Sequence, residues 1–214
     1  HWDAFMEDDG NEFVYGIAPV LAALKADRRS KHALYVLEES RRKESRLDAV
    51  EELARETNVD VIQVEKGLLN EAVNDRPHQG CILCASKLEF ASLDGWSAPV
   101  QGACYLALDE IVDPQNLGSL CRTARFLGAS VIVSAKNSAP LSAAASKASA
   151  GAIEEAPVYA VPNLPKALEE AKEQGWRVLG AGVGENSAPV SDLDSTQPSV
   201  LVVGSEGEGL RTTV

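Results

Sequence analysis

The stretch Cys104-Tyr-Leu-Ala-Leu-Asp-Glu-Ile-Val-Asp-Pro-Gln-Asn-Leu-Gly-Ser-Leu-Cys-Arg-Thr-Ala-Arg-Phe-Leu-Gly-Ala-Ser-Val-Ile-Val-Ser134 decides the fold. Its opening residues, Cys104 to Asp109, form an apolar run without polar alternation, as expected of a strand buried on both faces. Asp113-Pro114 turns the chain, Asn116 is expected to cap a helix that runs to Leu127, and Gly128 ends it. Ser130 to Ser134 is a second apolar strand. A strand, a helix and a strand joined this tightly make a parallel pair, and therefore an α/β sheet.

The same alternation continues on both sides. Downstream, Leu141 to Ala150 reads as an Ala-rich helix, Val158 to Val161 as a strand and Leu164 to Gln174 as a helix closed by Gly175. Strands follow at Trp176 to Leu179 and Val200 to Val203. Upstream, a helix within Val14 to Leu24 puts Ile17, Val20, Leu21 and Leu24 on one face, and Pro19 is tolerable only in its first turn. Strands are expected at Ala33 to Leu37, Val59 to Val64 and Gly80 to Ser86. Between them lie helices at Ser45 to Thr57, with a stripe of Leu47, Val50, Leu53 and Ala54, and at Gly67 to Val73. Residues 1–12 are acidic and aperiodic and are expected to fray. The Gly, Pro and Ser of residues 91–102 mark a linker. The expected organisation is thus a small α/β domain at 13–90 and a parallel-sheet α/β domain at 103–214.

With 45% apolar residues among 214, the chain can fill real cores, so disorder is excluded as the general reading. Its net charge of -12 excludes indiscriminate coating of nucleic acid: residues 1–100 carry net -7 and residues 101–214 net -5. Any nucleic-acid contact must use a local patch. Two basic clusters stand out, Lys25, Arg28, Arg29 and Lys31 with His32, and Arg41, Arg42 and Lys43 with Arg46. Each reads either as a solvated loop or as a phosphate-holding surface. No window is apolar enough to span a membrane, and the opening residues from His1 do not read as a cationic-then-apolar leader. Four cysteines do not make a disulfide scaffold. Cys81 and Cys84 form a Cys-x-x-Cys inside an apolar strand run, which favours buried reduced thiols over a zinc or redox pair. The three histidines are scattered, and no metal-ligand set is visible. Trp96 and Trp176 are expected to pack rather than to stack on bases.

In open α/β sheets ligands sit beyond the carboxyl ends of the strands. Three such ends are unusual here: the segment after Leu108 carrying Asn116 and Arg122, Gly180-Ala-Gly-Val-Gly184 after Leu179, and Gly204-Ser-Glu-Gly-Glu-Gly209 after Val203. Glycine there lets backbone approach a ligand. Neither run has the spacing or position of a dinucleotide fingerprint, and a phosphate-loop Gly-Lys-Ser/Thr is missing.

Asp113-Pro-Gln-Asn-Leu-Gly-Ser-Leu-Cys-Arg-Thr-Ala124, Leu127-Gly-Ala129, Ser149-Ala-Gly-Ala152 and Leu201-Val-Val-Gly-Ser-Glu-Gly-Glu-Gly-Leu210, in that order, closely resemble the SpoU/TrmH family of RNA ribose 2'-O-methyltransferases in the SPOUT superfamily. Residues 13–90 resemble the L30e-like RNA-binding domain that many members carry. The nearest subgroup is similar to enzymes that modify a guanosine of large-subunit ribosomal RNA, mitochondrial ones among them. The resemblance implies an S-adenosylmethionine-dependent enzyme, a parallel sheet with a C-terminal trefoil knot, a homodimer, a ribosomal RNA substrate and a mitochondrial location. A tRNA-directed enzyme and a non-catalytic RNA-binding or ribosome assembly factor of the same fold are the competing expectations.

Carried over from the family, Asn116 and Arg122 match the first motif, and Gly204, Glu206 and Gly207 the second; Gly180 and Ala181 fall where a loop lines the cofactor pocket. The resemblance thus implies catalytic roles for Arg122, Asn116 and Glu206 and cofactor binding by Gly180, Ala181, Gly204, Glu206 and Gly207, while the phosphate-holding reading of the two basic clusters assigns RNA contact to Arg28, Arg29, Lys31, Arg41, Arg42 and Lys43. The family's usual account has Arg122 take the ribose proton. An equally available role is to bind the adjacent phosphate and stabilise alkoxide charge, because guanidinium resists deprotonation. The family's third motif, an Asn-containing segment covering the adenosine, is not met before Val214, so these 214 residues alone are expected to bind the donor poorly.

Overall fold

The computed structural model describes residues 10–38, 46–183, 187–207 and 209–212. The chain forms two compact units: residues 1–89 with 140–156, and residues 90–139 with 157–214. Residues 140–156, which lie inside the expected 103–214 domain in sequence, therefore belong to the first unit.

The first unit is a four-stranded mixed sheet in the order β1-β4-β2-β3, with β1 at Asn11–Tyr15, β2 at Lys31–Leu37, β3 at Asp60–Val64 and β4 at Cys81–Ser86. β4 runs antiparallel to both β1 and β2, and β2 is parallel to β3. Side chains alternate across the sheet, as the strand period of two demands. Val14, Leu34, Val36, Cys81, Leu83 and Ala85 face helices α1 (Ile17–Lys25) and α2 (Arg46–Glu56). Phe13, Tyr15, Ala33, Tyr35, Ile82 and Cys84 pack on the other face with Leu69 of α3 (Lys66–Ala72) and with Ala143. Cys81 and Cys84 are thus free, buried core thiols, and burial pushes them up to about 12 and about 11.

Residues expected to fray begin this sheet instead. Asn11 and Glu12 open β1, and Glu12 turns its carboxylate inward, accepting from Arg29 at 2.7 Å and from the Ala143 backbone N–H at 2.7 Å. Ser142 caps α5 (Ala143–Ala148), and Gly151 precedes α6 (Ala152–Glu155). Gly151 has φ 89°, and a Cβ there would lie 2.6 Å from the Ala22 side chain of α1, so the Ser149-Ala-Gly151 motif acts as a close-packing contact within this unit.

The second unit is a six-stranded parallel sheet in the order β5-β8-β7-β6-β10-β9. Its strands are β5 (Ala91–Ser92), β6 (Cys104–Leu108), β7 (Ser130–Ser134), β8 (Val158–Val161), β9 (Arg177–Gly180) and β10 (Ser199–Val203). One face, with Ala107, Ile132, Val161, Val200 and Val202, is covered by Leu164, Ala167, Leu168 and Ala171 of α7 (Leu164–Glu173) and by Trp176. Helix α4 (Pro114–Phe126) turns Leu117, Cys121 and Ala124 inward and packs on β7.

The expected linker is docked. Ala91–Ser92 pairs with β8, and Trp96 stacks edge-on with Tyr105 at 5.2 Å and lies 5.9 Å from Trp176. Its indole N–H donates to the Ala167 carbonyl at 2.8 Å, and that of Trp176 to the Ser97 carbonyl at 3.0 Å. Both tryptophans pack, as their sequence setting suggested. Among the described residues no helix is long and apolar enough to cross a membrane.

Candidate functional site

Strands β6, β10 and β9 are neighbours in the sheet, and all run the same way. Val203 pairs with Leu108, and Val202 with Gly180, so the three strands end side by side. The segment carrying Asn116 and Arg122, the Gly180–Gly182 turn and the Gly204–Gly207 turn therefore leave one rim of the sheet. Register alone accomplishes this, since parallel strands paired in step must finish together.

The glycines of this rim divide into two kinds. A Cβ on Gly204 would fall inside the van der Waals radius of the Gly209 carbonyl and the Leu210 amide, and one on Gly180 would lie 2.8 Å from the Leu210 side chain. These two are glycines because the chain folds back on itself: Gly209 N–H donates to Ser205 O at 3.0 Å, closing a small loop. At Gly182 and Gly207, by contrast, a Cβ would meet nothing within 4 Å, which leaves exposed backbone facing open space. Gly204→Ala is expected to displace the loop and destabilise the chain by about 1–3 kcal/mol, read by thermal melts; unchanged melting would show that the fold-back is dispensable.

A clamp that sequence reading missed holds this loop. Asp109, 1% exposed at the end of β6, accepts from Arg211 Nε at 2.8 Å, from Nη2 at 2.6 Å and from the Arg211 backbone N–H at 3.1 Å. The Asp109 hydrogen bonds raise the Arg211 pKa above its ordinary value, and Glu110, 3.2 Å from Nη1, adds to this. The signal available was a lone Asp closing an apolar strand, with an Arg just beyond the glycine run.

One detail of the first motif is corrected, the cap of its helix. Asp113 caps α4, accepting from the Gln115 N–H at 2.9 Å, and Pro114 occupies the first helical position. Proline favours that position because it needs no N–H there. Asn116 lies inside the first turn, half-buried, and its side-chain amide has no partner among the described residues. Six residues place Arg122 about 9 Å further along the axis and roughly 120° round, so the helix does not bring the two onto one face. Arg122 is exposed, as is Glu206, and neither forms an ion pair among the described residues.

The first basic cluster is largely spent inside the protein. Arg29 is 6% exposed, with Nε and Nη2 donating to the two carboxylate oxygens of Glu154 at 2.7 and 2.8 Å and Nη1 donating to Glu12. Burial lowers its pKa, but the bonds and charges of Glu154 and Glu12 outweigh this and leave it raised. Arg29 is therefore a buried structural cation that cannot hold a phosphate. Arg28 Nη1 donates to the Ile153 and Ala156 carbonyls, the latter at 2.8 Å, and Lys31 Nζ to the Leu24 carbonyl at 3.0 Å; both remain half-exposed. Arg41, Arg42 and Lys43 lie outside the described residues.

His78 is nearly buried, and its protonation state can be read from its neighbours. The Gly80 N–H donates to Nδ1 at 3.0 Å, so Nδ1 is an acceptor and Nε2 carries the proton toward Asn70 Oδ1 at 2.9 Å. Burial, together with the charges of Lys66 and Lys147, lowers its pKa. The unfolded chain then binds a proton that the folded chain refuses, so stability falls as pH drops below about 6.5 toward the folded value. Thermal melts should show this loss below pH 6.5, and His78→Asn should flatten it; an unchanged pH dependence in that variant would contradict the assignment.

Residues 103–214 match the model of the SpoU rRNA Methylase family, and residues 13–91 match that of RNA 2'-O ribose methyltransferase substrate binding. A putative TrmH family tRNA/rRNA methyltransferase of Bacillus subtilis is 33% identical over 205 residues, covering 94% of this chain and 80% of the relative. An uncharacterized tRNA/rRNA methyltransferase of Mycobacterium ulcerans is 36% identical over 210 residues, covering 96% of this chain and 67% of the relative. Among solved structures, an rRNA methyltransferase from Sinorhizobium meliloti superposes with TM-score 0.73 at 22% identity over 97% of this chain and 76% of that one. The SpoU methyltransferase AviRb from Streptomyces viridochromogenes, in complex with AdoMet, gives 0.72 at 23% identity over 99% and 82%.

Proposed function

The chain belongs to the SpoU rRNA methylase family, and from that premise we propose that it transfers a methyl group from S-adenosylmethionine to a ribose 2'-hydroxyl of ribosomal RNA, on a guanosine of the large subunit. The observation that carries this reading is the rim where β6, β10 and β9 end in register. Its residues fit the donor: exposed, Cβ-free backbone at Gly182 and Gly207 leaves room for a flat ligand to lie against the main chain. Gly180, Ala181, Gly204, Glu206 and Gly207 would hold it, with the exposed Glu206 carboxylate accepting from its hydroxyl or amino groups.

When bound, the donor supplies a methyl group made electrophilic by a sulfonium. The chain's task is alignment, because holding the reacting oxygen in line converts an encounter into a unimolecular step. The Asp109–Arg211 clamp keeps the second-motif loop in place before any ligand arrives. Arg122 binds the phosphate beside the target ribose and stabilises negative charge growing on the 2'-oxygen, while water removes the proton. The Asn116 amide, without an internal partner among the described residues, is available to orient the incoming nucleotide.

A homodimer and a mitochondrial location are part of the same proposal. The dimer is supported by Phe126 and Leu127, 89% and 73% exposed one turn beyond Arg122, since apolar side chains so exposed favour burial against a partner. The location rests on the subgroup resemblance alone.

Incubating the protein with methyl-labelled donor and separate rRNA and tRNA pools tests the function. Labelled 2'-O-methylguanosine released from large-subunit rRNA is the expected result. Label in tRNA alone would move the substrate to the tRNA-directed alternative, and label in neither pool would favour the non-catalytic RNA-binding factor.

A further inference from the structure

We propose that the rim made by Lys66, Arg76, Gln79 and Lys147 in the first unit is the site that grips the RNA substrate, holding backbone phosphates on its cations and an unstacked base in the cavity between them. This rests on the RNA methyltransferase reading and names the surface it uses.

A cavity of about 330 Å³ opens beside α3 and the loop before β4, with Leu37, Lys66, Asn70, Asp75, Arg76 and His78 among its walls. Lys147 reaches the same loop from α5, donating to Gln79 Oε1 at 2.7 Å. That oxygen also accepts from the Ile17 N–H at 3.2 Å, which fixes the amide orientation and leaves its NH₂ without a partner among the described residues. Asn70 is fixed likewise: its Oδ1 takes the His78 proton, and its NH₂ has no partner among the described residues.

The rim gathers three cations around one loop and cavity. The whole chain carries net -12, yet Lys66, Arg76 and Lys147 form no ion pair among the described residues. Lys147 is half-buried, and that burial lowers its pKa. A half-desolvated ammonium without a carboxylate is poorly compensated, and an incoming anion restores the balance. Gly16 keeps the arrangement open, because a Cβ there would collide with Lys147 Nζ. The other basic cluster lacks this property, since Arg28 and Arg29 spend their donors on Ile153, Ala156, Glu154 and Glu12.

The chemistry of the cavity favours RNA over an acidic protein. Leu37 and Pro77 give apolar walls for a base face, and the two amide NH₂ groups meet base acceptors. Asp75, the one carboxylate among the described residues of the wall, is placed to accept from a base amino group, which an acidic side chain does not offer. The loop is held ready: Asn74, Asp75, Gln79 and Gly80 all have positive φ, at 51°, 56°, 56° and 86°. Asn, Asp and Gly accept that region easily, whereas Gln79 is held there by its two hydrogen bonds.

The test uses the full chain and a fluorescein-labelled RNA hairpin with an unpaired, adenosine- and cytidine-containing loop, read by anisotropy across a salt series. Lys66→Gln, Arg76→Gln and Lys147→Gln together should raise Kd about tenfold or more. The log–log salt slope should become shallower by about 2, because each single-strand phosphate contact contributes roughly 0.7. Lys66→Gln with Arg76→Gln, which leaves the Lys147–Gln79 bond intact, should give an intermediate loss and an unchanged melting curve. Wild-type affinity and slope in both variants would overturn the site while leaving the methyltransferase reading in place. Competition by polyglutamate as effective as by unlabelled hairpin would overturn the RNA assignment in favour of an acidic protein. A wild-type chain that binds no hairpin at any salt, yet transfers methyl to rRNA, would overturn the site alone; one that does neither would overturn both.

Discussion

Arg122→Ala is expected to cut methyl transfer to RNA by about a hundred- to thousandfold while changing donor affinity little. The side chain is exposed on α4 and has no ion-pair partner among the described residues, so its removal opens no cavity and strands no buried charge. Stability should therefore move by no more than about 0.5 kcal/mol, the usual range for such surface positions. An activity loss of the stated size cannot then be attributed to unfolding. Arg122→Lys separates the two roles open to the guanidinium. If Arg122 holds phosphate and growing alkoxide charge, lysine should lower the rate by a similar factor at every pH, because an ammonium lacks the bidentate fork. If Arg122 accepts the proton, lysine should shift the pH–rate profile to lower pH, since an ammonium gives up its proton more readily. Near-full activity in Arg122→Ala would remove the residue from either role.

The second large effect is on stability. Arg29→Met is expected to cost about 3–5 kcal/mol, because it leaves the fully buried Glu154 carboxylate with the Ser146 hydroxyl, at 2.6 Å, in place of its bidentate cation. For a chain of this size that corresponds to a fall in Tm of roughly 10 °C. Glu154 lies 125 residues from Arg29 in sequence, so the pair ties residues 140–156 to β1 and β4 through Arg29, Glu12 and the Ser86 carbonyl. The double variant Arg29→Met, Glu154→Leu should recover much of the loss, since an apolar pair of similar volume replaces buried charges at little net cost. Equal melting of Arg29→Met and the wild type would show that the pair is not buried as described; failure of the double variant to recover would show that the network holds more than the one pair.

Much of the fold was legible because its strands are unbroken apolar runs closed by turn residues. Ser130–Ser134 and Val158–Val161 match their expected bounds for that reason, and strand and helix alternation made the parallel sense of the sheet legible, though not the order of β6, β10 and β9 within it. Strand β1 was not legible. It is an edge strand whose first two residues are polar, and Glu12 points inward only because Arg29 waits there. Whether a carboxylate such as Glu154 or Asp109 faces water or a distant cation depends on contacts more than a hundred residues away, which no local pattern encodes. The basic cluster around Arg28 and Arg29 was misread in part for the same reason. The cap of α4 was legible in principle: Pro114 at the first helical position points to Asp113 rather than Asn116. At the glycine runs the residue type was a sound signal, but the backbone that approaches Gly204 belongs to the same chain.

Crystals of the protein grown with S-adenosylmethionine at concentrations high enough to saturate even a weak site provide the most direct measurement. The donor should lie across the ends of β6, β10 and β9, its adenosine against the exposed backbone of Gly180–Gly182 and Gly204–Gly207 and its methyl group open to solvent on the side an RNA ribose would enter. Density for the donor at any other place on the chain, with this rim left bare, would contradict the assignment.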